Sequence, residues 1–257
     1  MPFANINKLK TYYETHGDGD TLLFLHNGFS CSKAWEDIYP SFVEKGYRVV
    51  MYDRRGFGES EKGIDFENFY AGDRYCSYSV EELAILCDML NIDSFHIIGQ
   101  CEGGVVGVEY AIKYPQQIHS IVVSSTQCYS ELNMPEYTKL KFPKPVQDLD
   151  PEFKKKLIHW HGEEHAESFY KMFRNGGGAY GRGIFDFRNL LPSLECSTLV
   201  LFPDRSFIFD VEQAVAFYHH LPNGELAVLP NCGHNAFEDQ PEEYIRSILS
   251  FLRRHNF

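Results

Sequence analysis

Short runs rich in β-branched residues alternate with segments whose apolar residues fall at helical spacing, and this alternation constrains the fold more than any other feature. The runs "TLLFLH" (21–26), "YRVVMYD" (47–53), "SFHIIG" (94–99) and "SIVVSS" (120–125) read as buried strands. Between them, "KAWEDIYPSFVEKG", "SVEELAILCDMLNI" and "CEGGVVGVEYAIKYP" read as helices, the second stopping before "NIDS" and the third before Pro115. After a gap the rhythm returns with "STLVLF" (197–202), "DVEQAVAFYHHL", "GELAVLP" and "PEEYIRSILSFLRR". Such alternation builds a mostly parallel, doubly wound α/β sheet covered on both faces.

The gap, from Tyr129 to Leu194, carries no strand signal and one long helical pattern, Pro151 to Arg174. The expected organisation is therefore an α/β core of residues 1–128 and 190–257 with a helical lid, residues 129–189, inserted in it. The glycine cluster 176–178 has no phosphate-loop Lys-Ser or Lys-Thr after it and reads as a flexible lid connection.

A formal net charge of -12 over 257 residues argues against a broad nucleic-acid surface, which needs clustered Lys and Arg. No run approaches the length of a membrane span, and "MPFANINKLKTYYETHG" lacks the apolar core of a signal peptide. Seven cysteines without a C-x-x-C spacing suggest neither a disulfide framework nor a zinc knuckle, and point to a reducing cytoplasm. The 15% aromatic content suits an apolar pocket for a small molecule.

Chemistry concentrates in "IIGQCEGGVVG" (97–107). Here Ile97-Ile98 closes a strand, Gly104-Val105-Val106 opens a helix, and Gly99 and Gly103 flank Cys101 at two residues on either side. A sharp strand-to-helix bend of this kind lifts its central side chain above the sheet edge, and the glycines relieve the crowding. Cys101 is then a candidate nucleophile at a helix N-terminus, whose partial positive charge favours a thiolate. The loop "LFLHNGFSCSKAW" (23–35) adds Gly28, whose N–H with that of Glu102 makes a candidate oxyanion hole. In "NCGHNAFEDQPEEYIRSILSFL" (231–252), His234 sits in a loop between the last strand and the last helix, within reach of the nucleophile. "YDRRGFGES" (52–60) reads as a structural turn through Asp53, Arg55, Gly56 and Gly58.

Together these pieces, in this order and spacing, resemble the α/β-hydrolase fold superfamily over essentially the whole chain. The cysteine is similar to the variant found in dienelactone hydrolase. The resemblance implies a Cys101 nucleophile, a His234 base and a lid made from the insertion. It also implies an acid that orients the histidine, and there this chain departs from the pattern. The corresponding loop reads "FPDRSFIFD" (202–210), and the usual acid position falls on Ser206. Asp204 is the preferred orienting residue, with Ser206 as the alternative and Asp210 as a further carboxylate. A thiol, with an intrinsic pKa of about 8.5, tolerates a neutral partner for its histidine better than a serine does.

Asn27 and Phe29 beside the oxyanion loop, with Tyr129 and Trp160 of the insertion, are candidates for lining the substrate pocket. The Glu102 side chain is expected to point away, leaving only its N–H at the site. "HWHGEEH" formally matches the H-x-x-E-H zinc string, but Gly162 weakens the helix and no third ligand is evident, so it reads as the solvated face of a lid helix. No metal or cofactor is expected. The reading is a cofactor-independent hydrolase of a small ester, thioester or lactone. An acyltransferase, or a non-catalytic small-molecule binder on the same fold, is the alternative.

Overall fold

The computed structural model describes residues 3–255. An eight-stranded sheet organises the chain, with strands β1 (Phe3–Ile6), β2 (Leu9–His16), β3 (Thr21–Leu25), β4 (Arg48–Tyr52), β5 (Phe95–Gln100), β6 (Ile118–Ser124), β9 (Ser197–Pro203) and β10 (Gly224–Leu229). Their spatial order is β1-β2-β4-β3-β5-β6-β9-β10. From β4 to β10 every pairing is parallel, with Leu23 opposite Ile97 and Ile97 opposite Ile121 in the centre.

The central parallel strands are present because their side chains bury on both faces, while the edge strand β10 is partly exposed. Along β3, Leu23 and Leu25 join one apolar layer while Leu22 and Phe24 join the other. The first layer takes in helices α3 (Tyr75–Met89), α4 (Glu102–Lys113) and α8 (Glu212–His220). The second takes in α1 (Tyr39–Val43), α9 (Ala236–Asp239) and α10 (Pro241–Arg254). Helix α1 is shorter than its sequence pattern suggests, with Pro40 in its first turn and a separate 3₁₀ turn at Ser32–Trp35. Among the described residues no helix is long and apolar enough to cross a membrane.

The antiparallel pair β1–β2 is a strand signal the sequence pattern did not carry. It turns at Asn7-Lys8, both with positive φ, and β2 is mostly half-exposed, so no apolar run marks it. The insertion also differs from expectation. It contains a short antiparallel ribbon, β7 (Tyr129–Asn133) with β8 (Ile184–Asp186), outside the main sheet. Helix α5 (Met134–Lys141) is not among the expected elements, and the single expected helix from Pro151 to Arg174 is two, α6 (Pro151–His161) and α7 (Glu163–Arg174). Gly162, at φ 78° and ψ 155°, separates the last two and ends the helical hydrogen-bond ladder there. A further helix, α2 (Phe66–Tyr70), precedes α3.

Candidate active site

Gln100 ends β5 and Glu102 begins α4, which leaves Cys101 alone at the bend with φ 51° and ψ -114°. That left-handed backbone is costly for a residue with a Cβ, and the surroundings hold it: Cys101 N donates to Ser124 O at 2.8 Å, and Gly104 N to Cys101 O at 2.9 Å. A Cβ on Gly103 would lie 2.1 Å from Leu25 O, and one on Gly99 2.7 Å from Gly103 O. Both flanking glycines are therefore demanded by close backbone approach, as the sequence spacing implied. The Cys101 side chain faces a narrow cavity walled by Gly28, Phe29, Tyr180, Phe209 and Glu102.

Burial, first of all, pushes the Cys101 thiol up to about 12. The favourable effect expected of the helix N-terminus is present through the Glu102 N–H, but desolvation is larger. Two donors partly offset the burial. Tyr180 Oη donates to Sγ at 3.7 Å, and the Glu102 N–H also faces the sulfur. Among the described residues the hydrogen-bond partner of the thiol side chain is Tyr180, not His234.

His234 is fixed mainly through its backbone. Its carbonyl accepts from Gln100 Nε2 at 2.9 Å and from Ser125 Oγ at 2.8 Å, at the C-terminal ends of β5 and β6. Its Nδ1 lies 3.1 Å from Ser206 Oγ. Asp204, the preferred orienting residue in the sequence reading, is instead exposed and accepts from Cys232 N at 3.2 Å, with Arg205 3.7 Å away. Asp210 is exposed and lines an outer groove. The two carboxylates lie on the solvent side of the loop, so the serine alone turns inward. Ser206 Oγ also accepts from Ile208 N and Phe209 N, both at 3.2 Å. Whether Ser206 donates to Nδ1 or accepts from it is set by the imidazole tautomer. Burial holds the imidazole neutral, with its pKa lowered to about 3.

The alpha/beta hydrolase fold family model matches residues 20–182, spanning the oxyanion loop, the elbow and most of the insertion. The chain belongs to that family. Over its whole length it is 23% identical to the proline iminopeptidase of Lactobacillus helveticus, covering 97% of that protein. It is also 23% identical to the 2-hydroxy-6-oxononadienedioate/2-hydroxy-6-oxononatrienedioate hydrolase of Burkholderia vietnamiensis, over 96% of this chain and 92% of the relative. In three dimensions it superposes on an esterase from Exiguobacterium antarcticum with a TM-score of 0.77 at 17% identity, covering 98% of each chain.

Within this α/β-hydrolase frame the remaining site residues divide. Gly28 and Phe29 line the cavity as expected. Asn27 is buried beneath them and holds the loop, its Oδ1 accepting from Phe29 N at 2.8 Å and Ser30 N at 2.9 Å. Trp160 and Tyr129 do not reach the cavity. Trp160 is buried where the insertion meets the core, beside Lys33 and Phe237, and its carbonyl accepts from Cys31 Sγ, while Tyr129 lines the outer groove under Arg188. His161 is not on a solvated face either: Nε2 lies 2.6 Å from Phe29 O, and Nδ1 accepts from Gly58 N at 3.3 Å. Both ring nitrogens are engaged in joining the insertion to the core. The turn after β4 is structural, as read: Asp53 Oδ1 accepts from Ser32 N and Oδ2 from Glu59 N.

The Glu102 carboxylate does not point away. It lines the cavity, fully buried, 3.2 Å from Arg54 Nη2. Tyr70 Oη donates to its other oxygen at 3.4 Å, and Arg54 Nη2 also donates to Asn27 O at 2.9 Å. Arg54 thereby ties the Asn27-Gly28 loop to the elbow. The sequence reading missed Arg54 and Tyr180; the only cue was an arginine doublet directly after a buried strand.

Proposed function

We propose that this protein is a cofactor-independent hydrolase of a small ester, thioester or lactone, acting through an acyl-enzyme on Cys101. The observation that carries the reading is the elbow: a cysteine at φ 51° whose side chain faces an aromatic cavity bordered by Gly28 and Glu102. The thiol gives its proton to His234, and the sulfur attacks the substrate carbonyl carbon. The carbonyl π pair moves to oxygen, towards the N–H groups of Gly28 and Glu102. Collapse expels the leaving group, which takes the proton back from His234. Water then loses a proton to His234 and attacks the thioester, and the sulfur leaves and is reprotonated. His234 enters this cycle with its proton on Nδ1, facing the Ser206 oxygen. The names of the proline iminopeptidase and the Burkholderia hydrolase support hydrolysis as the reaction class.

A second reading has its own support. With the Cys101 thiol near 12 and the His234 imidazole near 3, neither group is charged at rest, which suits a binding pocket that does no chemistry. One experiment separates the two. The wild type is mixed with p-nitrophenyl esters, aryl thioesters and lactones while turnover and intact mass are followed. Hydrolysis with a transient acyl adduct on Cys101, abolished in Cys101→Ala, supports the hydrolase. Turnover that survives Cys101→Ala overturns the nucleophile, and saturable binding without turnover establishes the binder.

A further inference from the structure

The insertion places one polar group directly on the sulfur. Tyr180 lies in the turn at Gly178–Tyr180, and its hydroxyl donates to Cys101 Sγ at 3.7 Å. The hydroxyl is oriented from behind, because Gln127 N donates to Tyr180 Oη at 3.2 Å and leaves the phenolic hydrogen directed at the thiol. The ring is clamped as well: it meets Phe185 edge-on at 4.8 Å and Phe209 at 6.1 Å between centroids. Both Tyr180 and Cys101 are buried and line the same cavity. The turn is seated on the elbow by a second bond, from the Ala179 backbone to the Glu102 carboxylate.

We propose that Tyr180 is a catalytic residue supplied by the insertion, the hydrogen-bond donor that stabilises the Cys101 thiolate formed when the thiol proton leaves. In the step itself the S–H bond breaks, its proton goes to His234, and the electron pair stays on sulfur to attack the carbonyl carbon. Tyr180 keeps its own proton throughout and only donates to the sulfur. Its phenol is held well above its usual range by burial, so it remains a donor at any pH the fold survives. This role fits a site where Ser206 supplies no charge to the imidazole: the negative sulfur is stabilised by a hydroxyl that the insertion supplies.

The inference rests on Cys101 as nucleophile, yet its test needs no substrate. The rate of Cys101 alkylation by iodoacetamide, read by peptide mass mapping at one pH near neutrality, reports the thiolate fraction. Removal of one donor from a charged acceptor in Tyr180→Phe is expected to slow it about tenfold, with near-UV circular dichroism unchanged. Replacing Tyr180 by 3-fluorotyrosine, a more acidic donor of almost the same shape, is expected to speed it. A Tyr180→Phe rate within about twofold of wild type, or a fluorotyrosine rate no faster than tyrosine, overturns the proposal. An absence of ester turnover in a protein whose alkylation follows this pattern overturns the hydrolase reading and leaves the Tyr180 contact standing.

Discussion

The side-chain amide of Gln100, the residue immediately before the elbow, donates to the backbone carbonyl of His234 at 2.9 Å, across 134 positions of sequence. The elbow and the histidine loop are thus joined by a buried bond that does not involve either reacting side chain. Gln100→Ala removes it while Ser125 keeps its own bond to the same carbonyl. Ester turnover in Gln100→Ala is expected to fall about tenfold or more through kcat, with KM little changed, as steady-state kinetics will show. An equal rise in KM with kcat intact would assign Gln100 to binding instead.

Ser206 and Asp204 separate cleanly by substitution. A serine hydroxyl serves either imidazole tautomer at Nδ1, whereas a carboxylate can only accept and so fixes the tautomer that takes a proton at Nε2. Ser206→Asp is therefore expected to raise kcat by about tenfold or more, since a wrong tautomer is costly in such pairs. Asp204→Asn, out on the solvent side, is expected to leave turnover within about twofold. The opposite ranking would restore Asp204 as the orienting residue.

Arg54 and Glu102 form a fully buried ion pair, so deleting one partner strands a charge. Arg54→Leu is expected to destabilise the fold by about 3–5 kcal/mol in urea titrations. The double variant Arg54→Leu/Glu102→Leu is expected to lose less than the sum of its parts, the signature of direct coupling. Strict additivity would mean the two side chains act independently.

His161 gives the stability of the protein a pH dependence. Burial holds it at about 4, below the value near 6.5 of an unfolded chain. As pH falls, the unfolded chain takes the proton first, so stability present above pH 6.5 is lost between about 6.5 and about 4. The slope for this one group is about 1.4 kcal/mol per pH unit. His161→Gln is expected to flatten the acid limb of the stability curve by that amount; an unchanged limb would show that other groups carry it.

The legible parts of this protein share a physical origin. The parallel strands announce themselves because burial on both faces forces continuous apolar runs such as "TLLFL" and "STLVLF". The half-exposed β2 and the short ribbon in the insertion face no such demand, and their residues carry no pattern. Cys101 was readable because a left-handed bend with close backbone contacts restricts which residues fit around it. The inward side chain in "FPDRSFIFD" was not, because loop spacing does not specify which of three neighbours turns towards the histidine. The Glu102 orientation was misjudged for a related reason: its partner Arg54 lies on another strand end, and nothing local to the elbow signals it.

By itself, then, the sequence determined the α/β architecture, the sharp bend that carries Cys101 and the loop that carries His234. These rest on periodicity and local backbone sterics, which act over a few residues. The tertiary structure alone decided the rest: Ser206 against the imidazole, Tyr180 on the sulfur, and Arg54 with Glu102 beneath the oxyanion loop. Those are contacts between segments far apart in the chain, selected by where the sheet and the insertion bring their side chains and by how burial resets their protonation.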